Sequence, residues 1–189
     1  MVRTVSIFFL LFFSKISFAQ FSSKDTIDVH KFNNRLVESL LLEKINAYRT
    51  SKGIARLQYN PTIHKVAEDH CIYLKNKKLS HTQTTPGKQE IHDRLKHYTS
   101  ARSFSVSENI ARTYILVPTY NILSNGQTVE STAYTYEQAA EYMFNAWKNS
   151  ATHNANILTG KYNLSGISVY LNPKDKTLTA VQVFALIRS

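Results

Sequence analysis

The chain has 189 residues, with Lys+Arg 23 against Asp+Glu 13 and a formal net charge of +10. Hydrophobic residues make up 43%, too many for a disordered chain, and the length suits one domain. The single cysteine, Cys71, excludes a disulfide-stapled scaffold and a cysteine-based zinc finger, and five glycines with four prolines exclude collagen-like and low-complexity chains.

Residues 1–19 read as an address. Arg3 gives a positive start, Val5 to Phe13 (VSIFFLLFF) is apolar, and Ser17 and Ala19 fit a small-residue cleavage rule. The apolar run is far short of the roughly 20 residues a membrane span needs. The expectation is a signal peptide over 1–19, an uncleaved apolar anchor being the alternative. The mature chain is then secreted or periplasmic and has no transmembrane segment. Loss of Arg3 and Lys15 lowers the formal charge from +10 to +8. A basic secreted chain is drawn to anionic envelope surfaces. The densest basic cluster, Lys75, Lys77 and Lys78, reads as a solvated helix end, and no basic motif interleaved with aromatics points to nucleic acid.

Residues 20–35 are a polar lead-in. Val37, Leu40, Leu41, Ile45 and Tyr48 recur at helical spacing and predict a helix over about 30–51, with Gly53 just past its end. Asn60-Pro61 is an N-cap followed by proline at the first helical position, predicting a helix over 61–78. Cys71 falls on its apolar face as a small core residue. Residues 79–87 read as a loop and 88–98 as a short helix, with Ile91, Leu95 and Tyr98 aligned. The stretch 99–135 is mixed, with a hairpin signal at Asn125-Gly126 and an edge or break at Pro118. Thr135 and Gln138 form a capping box for a helix over 136–150, and a helical turn follows at 154–158. Residues 167–170 and 178–184 read as an antiparallel hairpin joined by turn residues 172–176. Helices, irregular segments, a helix and then strands argue for an α+β fold in which helices cover an antiparallel sheet.

Seven histidines are present. His30, His92 and His97 read as surface residues, His64 as lying on the outer face of its helix, and His70 as a core histidine. His81 and His153 each sit just beyond a helix in turn-rich sequence, where sites tend to be built. Glu108, in Val-Ser-Glu-Asn-Ile-Ala, reads as a helix-start carboxylate or a functional acid. No H-E-x-x-H, G-x-S-x-G or glycine-rich phosphate loop occurs.

Five segments in order resemble the CAP/SCP superfamily of cysteine-rich secretory proteins and pathogenesis-related protein 1. They are LLEKINAYR at 41–49, VAEDHCIYLKNKKLSH at 66–81, SENIA at 107–111, WKNSATHNANIL at 147–158, and the terminal hairpin with Gly166 opening a strand. The resemblance covers about residues 36–187, so the domain is set at 36–189. It implies a three-layered α-β-α sandwich with a central cleft of two histidines and two glutamates. His81, Glu108 and His153 match three of these, and Ser150 stands where the second glutamate falls. The lone cysteine points to the bacterial branch. The segment 112–134 is longer than the family pattern and is read as a flap over the cleft.

The resemblance implies a secreted binding module for a lipid, glycan or protein partner, with His81, Glu108, Ser150 and His153 forming the cleft. The alternative is a zinc-dependent hydrolase. There His81 and His153 would ligate the metal, and Glu108 would orient a ring or act as general base. A third reading is metal-free hydrolysis by Glu108 and His81. A fourth is a hydrogen-bonded cluster that only orders the cleft.

Overall fold

The computed structural model describes residues 21–123 and 126–188, the side chains of 117–131 excepted. Residues 1–19, read above as a signal peptide, and Asn125 of the hairpin signal lie outside the described residues. Among the described residues the helices are α1 (Asn34–Ser51), α2 (Pro61–Tyr73), α3 (Ile91–Tyr98), α4 (Tyr136–Lys148) and α5 (Ala151–Leu158). The strands are β1 (Gln58–Tyr59), β2 (Ser103–Tyr114), β3 (Leu116–Leu123), β4 (Gly126–Ala133), β5 (Leu164–Asn172) and β6 (Thr177–Arg188). One sheet runs β1-β5-β6-β2, and β3-β4 pair only with each other. The α+β class holds. All pairings are antiparallel except β1 with β5, which is parallel.

Local signals set most helix starts. Asn60 accepts from the backbone N–H groups of Thr62 and Ile63 at 2.9 and 3.1 Å. Thr135 and Gln138 close the expected capping box. Gly53 follows α1 at φ +72, which favours glycine. Helix α1 starts at Asn34, later than the expected 30, and the residues before it are docked. Ile27 is buried and donates to Tyr134 O, and Phe32 stacks on Tyr136.

Period-2 alternation on β6 builds two cores, one on each face of the sheet. Leu178, Ala180 and Phe184 face the core shared with α1, α4 and α5. Val181, Val183 and Ala185 face the core shared with α2 and α3. The result is helices, sheet and helices in three layers. At Gly166 the backbone of α2 lies directly on β5, where a Cβ would come within 2.2 Å of the His64 nitrogen.

Four expectations are corrected. His153 lies inside α5, which begins at Ala151, and not in a turn beyond a helix. Glu108 lies inside strand β2, not at a helix start, and that strand pairs with β6 over its whole length. The first residues of the segment read as a flap, Arg112 to Tyr114, belong to β2, and the hairpin proper begins at Leu116. His64 is buried, because its ring turns to Glu38 on α1 rather than to solvent. Cys71 is buried in the core as expected, and burial pushes its thiol up to about 12, leaving it inert at neutral pH.

Candidate functional site

Edge strand β2 supplies the centre. Alternation turns Glu108, with Val106 and Ile110, toward the α2–α3 layer, and turns Asn109 toward α5. One dipeptide on the sheet edge therefore reaches both helical layers, and the site straddles that edge.

The Glu108 side chain is 2% exposed, and both its oxygens are committed. Oε2 accepts from Arg94 Nη2 at 2.8 Å, and Oε1 accepts from His81 Nδ1 at 2.9 Å. Arg94, on α3, is fully buried and also donates to the carbonyls of His81 and Gln89 at 3.2 and 3.1 Å. His70 on α2 approaches Glu108 Oε1 at 3.6 Å, too far for a hydrogen bond. Its Nε2–H instead donates to Ser80 O at 2.8 Å, while its buried Nδ1 has no partner. That pattern belongs to a neutral ring, and burial holds its pKa below the usual imidazole value.

His81 is the group these residues present. Its side chain is 53% exposed, and its Nδ1–H is held by Glu108, which directs Nε2 away from the carboxylate. The hydrogen bond to Glu108 raises its pKa against the opposing effect of burial. The ring centroid of His153 lies 6.4 Å away. Burial and the neighbouring His81 charge both lower the His153 pKa. Between the two values His81 is an imidazolium and His153 is neutral. A ring that only donates hydrogen bonds then lies beside one that can also accept them. His153 is anchored through its carbonyl to Asn109 Nδ2 at 3.1 Å, and Asn156 of the same helix donates to Asn109 Oδ1 at 2.9 Å.

The loop carrying His81 is pinned from beneath by Asp69. This carboxylate accepts from Gln83 Nε2 at 3.2 Å, from Tyr98 OH at 2.5 Å, and from Lys88 Nζ. Burial pushes the Asp69 pKa up, but hydrogen bonds from Lys88, Tyr98 and Gln83 outweigh it and leave it below the usual carboxylate value. The stabilisation is therefore present above about pH 4 and is lost as pH falls through the lowered value. Asp69→Asn is expected to cost about 1–3 kcal/mol and to speed amide exchange over residues 79–90. Hydrogen exchange read by mass spectrometry checks this, and unchanged exchange in that loop contradicts it.

Of the residues singled out from sequence, His81, Glu108 and His153 are brought together. Ser150 opens α5 and bonds Thr152 Oγ1 at 3.3 Å, with no bond to the cluster. Sequence reasoning missed Arg94, Asn109, Asn156 and Asp69. Arg94 had a signal: it lies on the apolar stripe of α3 with Ile91 and Leu95, and a charge on such a stripe needs a buried partner. Asn46 and Arg49, in the LLEKINAYR segment, brace the scaffold. Asn46 exchanges two hydrogen bonds with the Leu57 backbone, and Arg49 donates to the carbonyls of Ala55, Ile157 and Tyr162.

The donor set does not fit a durable zinc centre. Such a centre takes three protein ligands, whereas only two imidazoles face each other here. No group of three or more His, Cys, Asp or Glu suited to a metal occurs among the described residues. Glu108 is committed to Arg94 and His81, and its neighbours His70 and His81 are engaged with Ser80 O and Glu108 itself.

No helix among the described residues is long and apolar enough to cross a membrane. No curated protein matches the sequence. Solved structures do match in fold. An outer surface protein of Borrelia burgdorferi aligns at 19% identity and TM-score 0.62, over 84% of this chain and 98% of that one. An extracellular SCP-domain protein of Bacillus anthracis aligns at 22% identity and TM-score 0.56, over 82% of this chain and 41% of that one. The CAP domain of enterococcal PrgA aligns at 16% identity and TM-score 0.50, over 88% of this chain and 68% of that one. The family model for cysteine-rich secretory proteins (CAP) matches residues 42–184, which takes in α2, α3, α4, α5 and strands β2 and β5. The chain therefore belongs to the cysteine-rich secretory protein (CAP) family.

Proposed function

We propose that the chain is a secreted or periplasmic binding domain that holds an anionic envelope component (lipid, glycan or protein) at its His81–Glu108–His153 cleft. One observation carries the reading. A buried, arginine-neutralised carboxylate is spent on orienting a half-exposed imidazole. Burying an ion pair is costly, so its use to fix one surface ring favours a role for that ring. His81 as imidazolium and His153 as neutral ring suit a partner that offers both an acceptor and a donor, such as a protonated phosphate or a hydroxyl beside an anion. The formal charge of +8 left after loss of residues 1–19 adds attraction to anionic surfaces. The N-terminal address and the extracellular description of the Bacillus relative support the location.

The test is co-sedimentation of the protein with purified bacterial envelope fragments at low and high salt. The His81→Ala/His153→Ala variant is expected to stay folded, with a melting temperature lowered by a few degrees through loss of the Glu108–His81 bond, and to lose about tenfold or more in retention. Retention unchanged in a folded variant overturns the cleft as the binding centre. Loss of the fold in the single and double variants assigns the cluster a purely structural role.

A further inference from the structure

A second Arg–Glu–His cluster lies at the opposite edge of the sheet from Arg94, where α1 crosses the outer edge of β5. Glu38 is buried there, and its Oε1 accepts from the Val169 backbone N–H at 3.1 Å. Its Oε2 lies 3.2 Å from Arg35 Nη1 and 3.2 Å from His64 Nε2. Arg35 Nη1 also lies 2.5 Å from His64 Nε2. Arg35 Nη1 thus sits against both the Glu38 carboxylate and the His64 ring.

The two clusters share a composition and invert it. In the first, the imidazole is exposed and the guanidinium is buried. In the second, the guanidinium side chain is 60% exposed and the imidazole only 4%. Glu108 orients a histidine; Glu38 and His64 orient an arginine. Arg35 Nη1 is committed to them, and among the described residues no group takes Nε or Nη2. Those two N–H groups form the side-on fork that grips a planar carboxylate through two parallel hydrogen bonds.

Arg35 stands on the wall of a cavity of about 400 Å³ whose other walls are Glu38, Ser39, Leu42, Tyr59 and Ile167. That volume is at the small-molecule end of ligand pockets. Leu42, Ile167 and the Tyr59 ring make its lining apolar, and the oxygens of Glu38 are already taken. A cation with a free fork beside an apolar chamber matches a small carboxylate with an apolar body. We propose that this cavity is a second ligand site, separate from the His81 cleft, for a small amphipathic monocarboxylate. Arg35 binds the carboxylate, and the body packs against Leu42, Tyr59 and Ile167. The Glu38 charge nearby keeps the affinity modest, with a dissociation constant of about 0.1 mM for a ligand of this size.

The probe is 4-phenylbutyrate, with 4-phenylbutan-1-ol as its uncharged counterpart, read by ligand-observed NMR and calorimetry on the full chain. The acid is expected to bind about tenfold more tightly than the alcohol. Arg35→Gln, checked for folding by its melting temperature because Arg35 Nη1 meets the buried Glu38, removes that preference. Ser39→Trp fills the chamber from its rim and abolishes binding of both probes. His81→Ala/His153→Ala leaves both affinities unchanged, so failure here and failure of the cleft reading are distinguishable. No binding of the acid at millimolar concentration overturns the proposal. So does equal binding of acid and alcohol, or binding that survives Ser39→Trp in a folded variant.

Discussion

Replacing Arg94 by methionine is expected to cost about 3–5 kcal/mol, the range for removing one partner of a buried ion pair. Methionine fills much of the same space, so the loss is electrostatic rather than a cavity. Glu108, 2% exposed, is left with His81 as its remaining side-chain partner, the His81 carbonyl loses its Arg94 donor, and the Gln89 carbonyl keeps only the Gln83 N–H. In a chain of this length the melting temperature should fall by roughly 6–20 °C. Adding Glu108→Leu to Arg94→Met should recover part of the loss, because no uncompensated charge then stays buried. Urea denaturation of the two single variants and the double variant measures the coupling. A cost below about 1 kcal/mol for Arg94→Met would mean that the pair is hydrated and that Glu108 does not rely on Arg94.

Gly166→Ala carries the other large effect. The added Cβ would lie 2.2 Å from the His64 nitrogen and 2.4 Å from the His64 Cα and the Ile63 carbonyl carbon. These are backbone atoms of α2, so no side chain can rotate out of the way, and the helix itself must lift from β5. The expected cost is about 3 kcal/mol or more, at the upper end for overpacking. The backbone angle of Gly166 is not in the left-handed region, so the effect is steric and should grow from alanine to valine. A shift in the urea midpoint of less than that equivalent to about 1 kcal/mol would show that α2 can move freely on the sheet. The same displacement would draw His64 away from Glu38, because both contacts lie at the start of α2.

The sequence made the helices readable where a local rule wrote them. Asn60-Pro61, Thr135 with Gln138, and Gly53 act within one turn of their own position, and each did what its chemistry requires. The terminal hairpin was readable because Leu178 to Phe184 serves two buried faces and so runs apolar. Strand β2 was not readable. It lies at the sheet edge and alternates apolar residues with Ser, Glu and Asn that bond to other elements, so no clean period survives. His64 was misplaced for a related reason. Its partner Glu38 lies on α1, 26 positions earlier, and nothing local to α2 announces it. In the cleft, His81, Glu108 and His153 were found because motifs carry them. Arg94 and Asp69 act through contacts 14 positions apart, Arg94 with Glu108 and Asp69 with Gln83, and motifs do not encode them.

The most direct test of the cleft is a pH titration of the imidazole resonances of the full chain by NMR. His81 should titrate above the usual value of 6.5 because Glu108 accepts its Nδ1–H, and His153 should titrate below it because of burial and the His81 charge. The sign is set by these directions. The Glu108 bond stabilises the fold below the ordinary imidazole value, and that stabilisation is lost as pH rises through the raised His81 pKa. Neutral His81 should carry its proton on Nδ1, and His81→Ala should move the His153 titration upward. Coincident titrations, the reverse order, or a neutral His81 protonated on Nε2 would contradict the arrangement of a carboxylate-held imidazole facing a neutral one.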